Sequence, residues 1–289
     1  MKVAAVVILY NPPQDAISNI QTYYDWVDKI FVFDNSEAKS AIQDDLIKLS
    51  KIEFYQDFKN EGIAMRLNQA CEMAIKEQCE WLLTMDQDSK FNENSIATYF
   101  DCFKNYQHKE KVAMFGTNRN REIKSNTTSC STKEIDELIT SGSLLNLSLF
   151  KKLGGFDEEL FIDLVDNEYC LRARLQDFSI IQFSNIYLAH RLGTEVVNSS
   201  IKSLFLIRKK KEVHSPLRCY YMYRNMLYIE NKYRDKNKKF TGKLRRDVIA
   251  RLKINILYGR KTREIFKYLK IAKDHFKNNK IGKFDSSFL

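Results

Sequence analysis

The sequence predicts an α/β protein with a mostly parallel, Rossmann-like central sheet flanked by helices and followed by a basic helical C-terminal extension. Apolar, strand-like runs alternate with helical segments over the first 116 residues, as in proteins built from β-α-β units. The first run, Val3–Leu9, is continuously apolar and β-branched, which is typical of a parallel strand buried on both faces. The charge is divided: residues 200–289 hold 26 Lys+Arg and 7 Asp+Glu, whereas residues 1–199 hold 21 and 30.

The predicted elements follow one another in a regular order. Strands are expected at 3–9, 29–33, 52–55, 81–85 and 112–116, with helices at 14–26, 39–50, 62–78 and 93–107. A polar loop at 117–133 precedes strands at 138–145, 178–183 and 186–189 and helices at 147–153 and 166–176. Further helices are expected at 216–235, 243–258 and 261–277. We therefore expect one domain over 1–200, with two halves meeting near 116, and an extension over 201–289.

Composition and cysteine spacing exclude several other classes of protein. With 9 Gly, 3 Pro and 6 Cys in 289 residues, the chain is not collagen-like, disordered or a disulfide scaffold. The cysteines form no CxxC pair, which argues against zinc-ribbon and thioredoxin chemistry. We expect each of them to act as a small hydrophobic residue in a reducing cytosol. No apolar run approaches the roughly 18–20 residues that a membrane-spanning helix needs.

The basic extension predicts an anionic partner. Clustered cations can bind nucleic acid, anionic lipid or acidic substrates. The tyrosines between 220 and 233 recur at helical spacing, and no recognised nucleic-acid motif is present. We therefore expect packed helices with a cationic outer face and no nucleic-acid partner. Amphipathic basic helices of this kind can lie on an anionic membrane surface, and dimerisation through the same helices is the alternative.

Asp86 and Asp88 come directly after an apolar strand, Trp81–Met85, with Gln87 between them. Two carboxylates at a strand end provide hard oxygen ligands suited to Mg²⁺ or Mn²⁺, which in turn neutralises phosphate. The structural alternative is an ordinary surface turn. Because ligands of parallel sheets bind beyond the carboxyl ends of the strands, this position favours the metal site.

Other polar side chains are predicted at the same edge or near it. Asp34 ends the second strand, where it forms an Asx turn or accepts hydrogen bonds from a nucleobase. Asn60 and Glu61 open a helix and are expected at least to cap it. Asp166 lies among apolar residues, which would raise the pKa of its carboxyl and suit it to general-base catalysis. His190 ends an apolar strand and is either structural or a metal ligand.

Taken together, these segments resemble an inverting family 2 glycosyltransferase of the GT-A fold, and specifically the bacterial rhamnosyltransferase branch. The resemblance covers roughly residues 1–230. It is carried by Val6–Pro12, Val32–Ser36, Asn60–Asn68, Trp81–Ser89, Thr140–Ser143, Gly155–Glu158, Phe161–Asp166 with Glu168 and Cys170–Arg172, and His190–Gly193. The resemblance makes 1–116 the nucleotide-binding half and 117–200 the acceptor half of a catalytic domain.

The resemblance also implies a role for each matching residue. Residues bordering the nucleotide sugar would be Tyr10, Asn11, Pro12, Asp34, Asn60, Gly62, Asn68, Asp86 and Gln87. Asp88, with Asp86 and His190, would hold a divalent cation, Mg²⁺ or Mn²⁺, at the diphosphate. Asp166 would be the catalytic base. Val165 stands where the broader family pattern has Glu, and this departure leaves Asp163 as an alternative to Asp166 for the role of base.

The implied reaction transfers L-rhamnose from dTDP-rhamnose to a saccharide acceptor during synthesis of bacterial cell-surface polysaccharide. The acceptor would be lipid-linked, and the enzyme cytoplasmic and peripheral at the inner face of the cell membrane. A UDP-hexose or UDP-galactofuranose donor on the same fold is the alternative. Two remoter hypotheses remain. One is a haloacid-dehalogenase-like phosphatase, a class that also carries Asp-x-Asp after a strand, and the other is a protein that binds nucleic acid through the basic extension.

Overall fold

The computed structural model describes residues 1–118, 130–190, 194–198 and 209–285. The chain divides into two compact units. The first comprises Met1–Glu158 and Val165–Arg191, and the second comprises Glu159–Leu164 and Leu192–Leu289. The second unit therefore includes a short segment, 159–164, that lies within the predicted 1–200 domain.

The first unit is built on an eight-stranded sheet in the order β3-β2-β1-β4-β8-β6-β9-β7. Its strands, with two short ones that pair separately, are β1 (Val3–Leu9), β2 (Lys29–Asp34), β3 (Ile52–Gln56), β4 (Trp81–Asp86), β5 (Ser89–Lys90), β6 (Val112–Asn118), β7 (Thr132–Glu134), β8 (Ser143–Asn146), β9 (Ser179–Tyr187) and β10 (Ala189–His190). Strands β1–β4, β6 and β9 run parallel, whereas β8 and β7 are antiparallel to their neighbours. This confirms the mostly parallel sheet.

Helices cover this sheet. They are α1 (Ala16–Tyr24), α2 (Gln43–Leu46), α3 (Gly62–Lys76), α4 (Glu93–Asn105), α5 (Leu147–Leu153) and α6 (Val165–Arg174). Strand β1 is buried along almost its whole length, with Ala5 and Val7 fully buried, because helices pack on both of its faces. Local sequence starts some of these helices: the Asn92 side chain accepts a hydrogen bond from Ser95 N at the start of α4.

The second unit is helical with one hairpin. It contains β11 (Thr194–Asn198) and β12 (Lys209–Val213), which pair antiparallel, and the helices α7 (Pro216–Tyr233), α8 (Lys238–Tyr258) and α9 (Thr262–Lys277). Helix α7 begins with Pro216 at its first turn, and Ser215 Oγ accepts from Arg218 N at 3.2 Å. Among the described residues, no helix combines the length and the apolar character needed to cross a membrane.

Several predicted elements are shorter than expected or of a different kind. The helix expected at 39–50 contracts to the four residues of α2, and the strand expected from 138 starts only at Ser143. Strand β7 falls within the expected loop at 117–133, of which 119–129 lie outside the described residues. The hairpin strand β12 was missed because Lys209–Lys211 carries no apolar alternation.

The prediction that all six cysteines are reduced is wrong for two of them. Cys102, at the end of α4, and Cys130 are joined by a disulfide bond. Their spacing of 28 residues contains no signal for pairing, because pairing depends on the fold bringing the two Cα atoms together. The other four cysteines are buried and free, as expected for small hydrophobic residues.

Candidate active site

The carboxyl ends of β1, β2 and β4 form one edge of the sheet, and the predicted nucleotide-binding residues start there. Leu9 is paired with Asp34, and Ile8 with Asp86, so these two aspartates flank the end of β1 on either side. Tyr10 follows β1 directly, and 47% of its surface is exposed. A planar, accessible ring at the end of a central strand is suited to contact a ligand.

Asp34 is fully buried at the end of β2. Its Oδ1 accepts a hydrogen bond from Ser36 N at 2.9 Å, which is the Asx turn that the sequence predicts. Within the part of the chain that the structure describes, its Oδ2 is buried and has no hydrogen-bond partner. A buried acceptor of this kind is costly unless a ligand donates to it, which suits Asp34 to bind a ligand N–H.

The loops after β1 and β2 are joined by hydrogen bonds. Asn11 adopts a left-handed conformation (φ 44°), and its N–H donates to Ser36 Oγ at 2.7 Å. Pro12 follows and is half-buried. Asparagine tolerates this conformation better than most residues, which explains the amide at this position. The two loops are therefore joined directly by this hydrogen bond.

The start of α3 is bonded to the β2 loop, and two residues for which the sequence predicted no individual role, Asn35 and Arg66, take part. Asn60 Oδ1 accepts from Gly62 N at 3.1 Å, and Gly62 O accepts from Asn35 Nδ2 at 3.1 Å. Arg66 is only 5% exposed and donates from Nε to Asn35 Oδ1 at 2.7 Å. The signal that could have found it is a single arginine among the apolar positions of α3, since a buried guanidinium needs partners.

Arg66 also contacts Asp57, with Nη2 to Oδ1 at 2.6 Å. Partial burial opposes ionisation of Asp57, but the hydrogen bond and charge of Arg66 outweigh it and lower the pKa of that carboxyl. A cleft of about 300 Å³ lies beside Arg66, between α3 and the outer strands, with Phe33 and Tyr55 in its wall. Neither Asp86, Asp88 nor Asp166 lines it.

The Asn68 side chain is hydrogen-bonded to the turn at 155–158. Its Nδ2 donates to Phe156 O (3.0 Å) and Glu158 Oε1 (2.7 Å), while its Oδ1 accepts from Phe156 N at 2.7 Å. Gly155 is left-handed (φ 80°), and a Cβ there would lie 3.0 Å from Asn68 Oδ1. Asn68 therefore holds the turn at 155–158 against α3, and its predicted contact with the nucleotide stays a prediction.

The Asp86–Asp88 turn is linked to the β1 loop through Gln87. Tyr10 N donates to Gln87 Oε1 at 2.9 Å, and Gln87 Nε2 donates to Tyr10 O at 3.2 Å. The buried Asn19 of α1 donates to Gln87 O at 2.9 Å. Because the glutamine side chain is used in this way, the carboxylates on either side of it are presented at the sheet edge: Asp86 is exposed and Asp88 half-buried.

The backbone of the third predicted metal ligand lies close to this turn. His190 is paired with Ser89 in the small antiparallel sheet of β5 and β10, so its main chain lies beside the residue that follows Asp88. Its side chain lies outside the described residues. Among the side chains that are described, no three His, Cys, Asp or Glu residues form a metal site by themselves. Two carboxylates nevertheless fit Mg²⁺ or Mn²⁺ when phosphate oxygens complete the coordination.

The two candidate bases occupy different surroundings. Asp166 is half-buried in the first turn of α6, where its Oδ1 accepts from Asn167 N at 2.9 Å. Asp163 has a left-handed backbone, and Arg218 donates to both of its carboxylate oxygens at 3.1–3.2 Å. The guanidinium of Arg218 therefore occupies both carboxylate oxygens of Asp163, which makes them poorly available to an acceptor hydroxyl.

Comparison with known proteins supplies the family context. No family model matches the chain. A curated relative, the dTDP-rhamnosyl transferase RfbF of Shigella flexneri, is 25% identical over 243 residues, which cover 79% of each chain. This is similarity across most of both sequences.

Solved structures match the fold. S. aureus TarS superposes with a TM-score of 0.54 at 15% identity, over 87% of this chain and 43% of TarS. GalNAc-T7 with UDP, GalNAc and Mn²⁺ superposes with a TM-score of 0.53 at 12% identity, over 66% of this chain and 44% of GalNAc-T7. A structure of TarS residues 1–349 with UDP-GlcNAc superposes with a TM-score of 0.50 at 12% identity, over 99% of this chain and 94% of that one. The chain thus spans less than half of the two longer proteins. From the sheet and these solved structures together, we conclude that the chain has the GT-A fold.

Proposed function

We propose that the protein is a metal-dependent inverting rhamnosyltransferase that moves L-rhamnose from dTDP-rhamnose to a saccharide acceptor in bacterial cell-surface polysaccharide synthesis. The donor proposal rests on similarity to a dTDP-rhamnosyl transferase. The observation that carries the chemistry is the sheet edge, where two carboxylate features flank the same central strand. One is the buried Asp34, whose Oδ2 has no hydrogen-bond partner among the described residues, and the other is the Asp-x-Asp turn.

In this proposal Asp34 Oδ2 accepts a hydrogen bond from the nucleobase, and Tyr10 to Pro12 border the nucleotide. Mg²⁺ or Mn²⁺ bound by Asp88, with Asp86 and His190, would neutralise the charge of the diphosphate leaving group. Asp166 deprotonates the acceptor hydroxyl, which displaces the nucleoside diphosphate in line and inverts the anomeric carbon. In this proposal, the catalytic domain is residues 1–200, which include the whole of the first unit.

The experiment that tests the mechanism compares two variants of the full chain. Asp166→Asn keeps the size of the side chain but removes its basicity, so we expect transfer to fall at least 10²-fold, within the usual range for a lost general base, with donor affinity nearly unchanged. Asp88→Ala is expected to abolish metal-dependent donor binding. Equal loss of binding and transfer in Asp166→Asn would refute the base assignment, and donor affinity insensitive to EDTA would refute the metal role.

The donor is tested separately. Purified protein with Mn²⁺ is incubated with dTDP-rhamnose, a UDP-hexose and UDP-galactofuranose, and donor hydrolysis and thermal shift are measured. We expect the largest response with dTDP-rhamnose, and preferential turnover of either UDP-sugar would replace the rhamnosyl proposal with that alternative. Hydrolysis of a generic phosphoester without nucleotide-sugar turnover would instead favour a phosphatase.

We further propose that the second unit attaches the enzyme to the inner face of the cell membrane, where a lipid-linked acceptor would be presented. Helix α9 supports this because its buried residues, Ile265, Ala272 and His275, lie on one side, while cations and the 56% exposed Phe266 lie on the outer side. The exposed cations of α9 are Arg263, Lys267, Lys270, Lys273 and Lys277. Each is worth about 1 kcal/mol near an anionic lipid surface.

The membrane proposal is tested by flotation with vesicles of phosphatidylcholine, with and without phosphatidylserine, at low and high salt. The triple variant Lys270→Glu, Lys273→Glu and Lys277→Glu should lose binding to the anionic vesicles. A matched control reverses the exposed Lys104, Lys111 and Lys133 of the first unit, with the same change in net charge. Equal binding by both variants would refute the assignment to α9, and concentration-dependent dimers disrupted only by the α9 variant would favour the homodimer.

A further inference from the structure

Segment 137–143, which lies between β7 and β8, joins the two parts of the site within the first unit. At its C-terminal end it is bonded to β4. Thr84 Oγ1 donates to the carbonyl oxygens of Thr140 and Ser143, the latter at 3.1 Å, and Gly142 N donates to Thr84 O at 2.8 Å. Thr84 is two residues before Asp86, so these hydrogen bonds hold the segment directly beside the Asp86–Asp88 turn.

Ser141 brackets the Asp86–Asp88 turn. Its Oγ accepts from Asp86 N at 3.2 Å and donates to Ser89 Oγ at 2.8 Å. Ser141 is 1% exposed and Ser89 is fully buried, so water does not compete well for these bonds. One hydroxyl therefore contacts the residues at both ends of the turn, with Asp88 between them.

At its N-terminal end the same segment is bonded to α6. Glu137 Oε2 accepts from Asn167 Nδ2 at 2.6 Å, and Leu138 N donates to Cys170 Sγ at 3.4 Å. Asn167 also donates its backbone N–H to Asp166 Oδ1 at 2.9 Å. Asn167 therefore contacts the proposed base on one side and the segment on the other.

The segment is packed too closely to bend easily. Gly142 is left-handed (φ 73°), and a Cβ there would lie 3.0 Å from both Leu188 Cδ2 and Thr117 Oγ1. Its carbonyl oxygen accepts from the buried Tyr99 hydroxyl at 3.0 Å. A Cβ at Gly116 would lie 2.7 Å from Ser143 Oγ, so β6 also approaches the segment without a side chain between them.

We propose that segment 137–143 is a strut that fixes the Asp166 carboxylate relative to the Asp86–Asp88 turn, with Ser141 and Asn167 as positioning residues for the transfer reaction. The roles of the two carboxylate sites rest on the proposed function. The strut sets the spacing between the base and the leaving-group site because it is hydrogen-bonded at both ends and closely packed around Gly142. A shift of about 1 Å at such a site can cost about 10²-fold in rate.

The test measures donor affinity, kcat and KM for Asn167→Ala, Glu137→Ala and Ser141→Ala. Releasing α6 in the first two should lower kcat by about 10- to 100-fold with donor KM changed less than about twofold. Glu137→Gln, which keeps an acceptor oxygen, should restore most of the kcat. Ser141→Ala should instead weaken metal-dependent donor binding by roughly tenfold, the equivalent of one lost hydrogen bond. The control is Ser148→Ala, which removes an exposed hydroxyl that donates to Asn146 Oδ1 at 2.8 Å.

The outcomes separate the strut from the proposed function. Absence of turnover by the wild-type protein with every nucleotide sugar would refute the function, and hydrogen exchange would still test the strut. The exchange rate of the Asp86 backbone amide should rise in Ser141→Ala and should be unchanged in Ser148→Ala. With turnover present, parallel losses of kcat, donor affinity and melting temperature in all three variants would show a purely structural role and overturn the proposal, as would an unchanged Asp86 amide.

Discussion

Replacing Asn225 by alanine should destabilise the second unit strongly. Asn225 is fully buried in α7, and its Nδ2 donates to the carbonyl oxygens of Leu160, Ile162 and Asp163 at 2.8, 2.8 and 2.9 Å. Its Oδ1 accepts from Arg224 Nη2 at 2.8 Å. The segment that it holds is strained, because Phe161, Asp163 and Leu164 all have positive φ.

The size of the effect follows from these contacts. Each lost hydrogen bond to a backbone carbonyl is worth about 1 kcal/mol, and leaving the buried guanidinium of Arg224 short of an acceptor adds about 1.5–3 kcal/mol. Left-handed backbone costs about 1–3 kcal/mol per residue, so the segment gains by rearranging once it is released, which limits the loss. We expect Asn225→Ala to lower the free energy of unfolding by about 3–5 kcal/mol.

The assay is urea unfolding, combined with hydrogen exchange of the α7 amides so that the second unit is followed by itself. Asn225→Asp keeps the size and the acceptor for Arg224 but loses the donors, so it should lose at least the roughly 3 kcal/mol of the carbonyl bonds. Asn278→Ala removes an exposed amide with one bond to Asp274 O and should change stability by less than about 0.5 kcal/mol. An Asn225→Ala effect below about 1 kcal/mol would refute the reasoning.

Three further predictions concern stability. Reducing the Cys102–Cys130 disulfide, which closes a loop of 28 residues, should lower the free energy of unfolding by about 3–4 kcal/mol, measured by urea unfolding with and without dithiothreitol; Cys102→Ser should remove the difference. Burial, together with nearby cations, lowers the pKa of His275, so below pH about 6.5 the unfolded chain takes up a proton that the folded unit does not. The melting temperature should fall between pH 7.5 and 5, and less so in His275→Gln; an equal fall in both would contradict this. Gly155→Ala should cost about 1–3 kcal/mol in thermal denaturation, since it adds a close contact to the positive φ. Gly282→Ala, with positive φ but open space, should cost less, and equal losses would show that the contact is unimportant.

Much of the N-terminal half of the sheet could be predicted because its signals are local. Continuous apolar runs predicted β1, β2 and β4, and the polar residues that end them lie together because parallel strands share a carboxyl edge. Asp34 and Asp86 were singled out in this way, whereas Tyr10 was named only through the family resemblance. Arg66 and Asn35 were missed because their importance depends on contact with each other across 31 residues.

The mostly parallel sheet, the strand ends that carry the carboxylates and the division between an acidic body and a basic extension could all be predicted from the sequence, because each follows from periodicity or charge along a continuous stretch. The folded structure was needed to show that Asp163 is paired with Arg218, that Asp166 accepts from Asn167 N, and that Ser141 bonds to both Asp86 and Ser89. The same is true of the Cys102–Cys130 pairing. These contacts join residues between 1 and 55 positions apart through specific side-chain geometry, and neither composition nor hydrophobic period encodes which donor meets which acceptor.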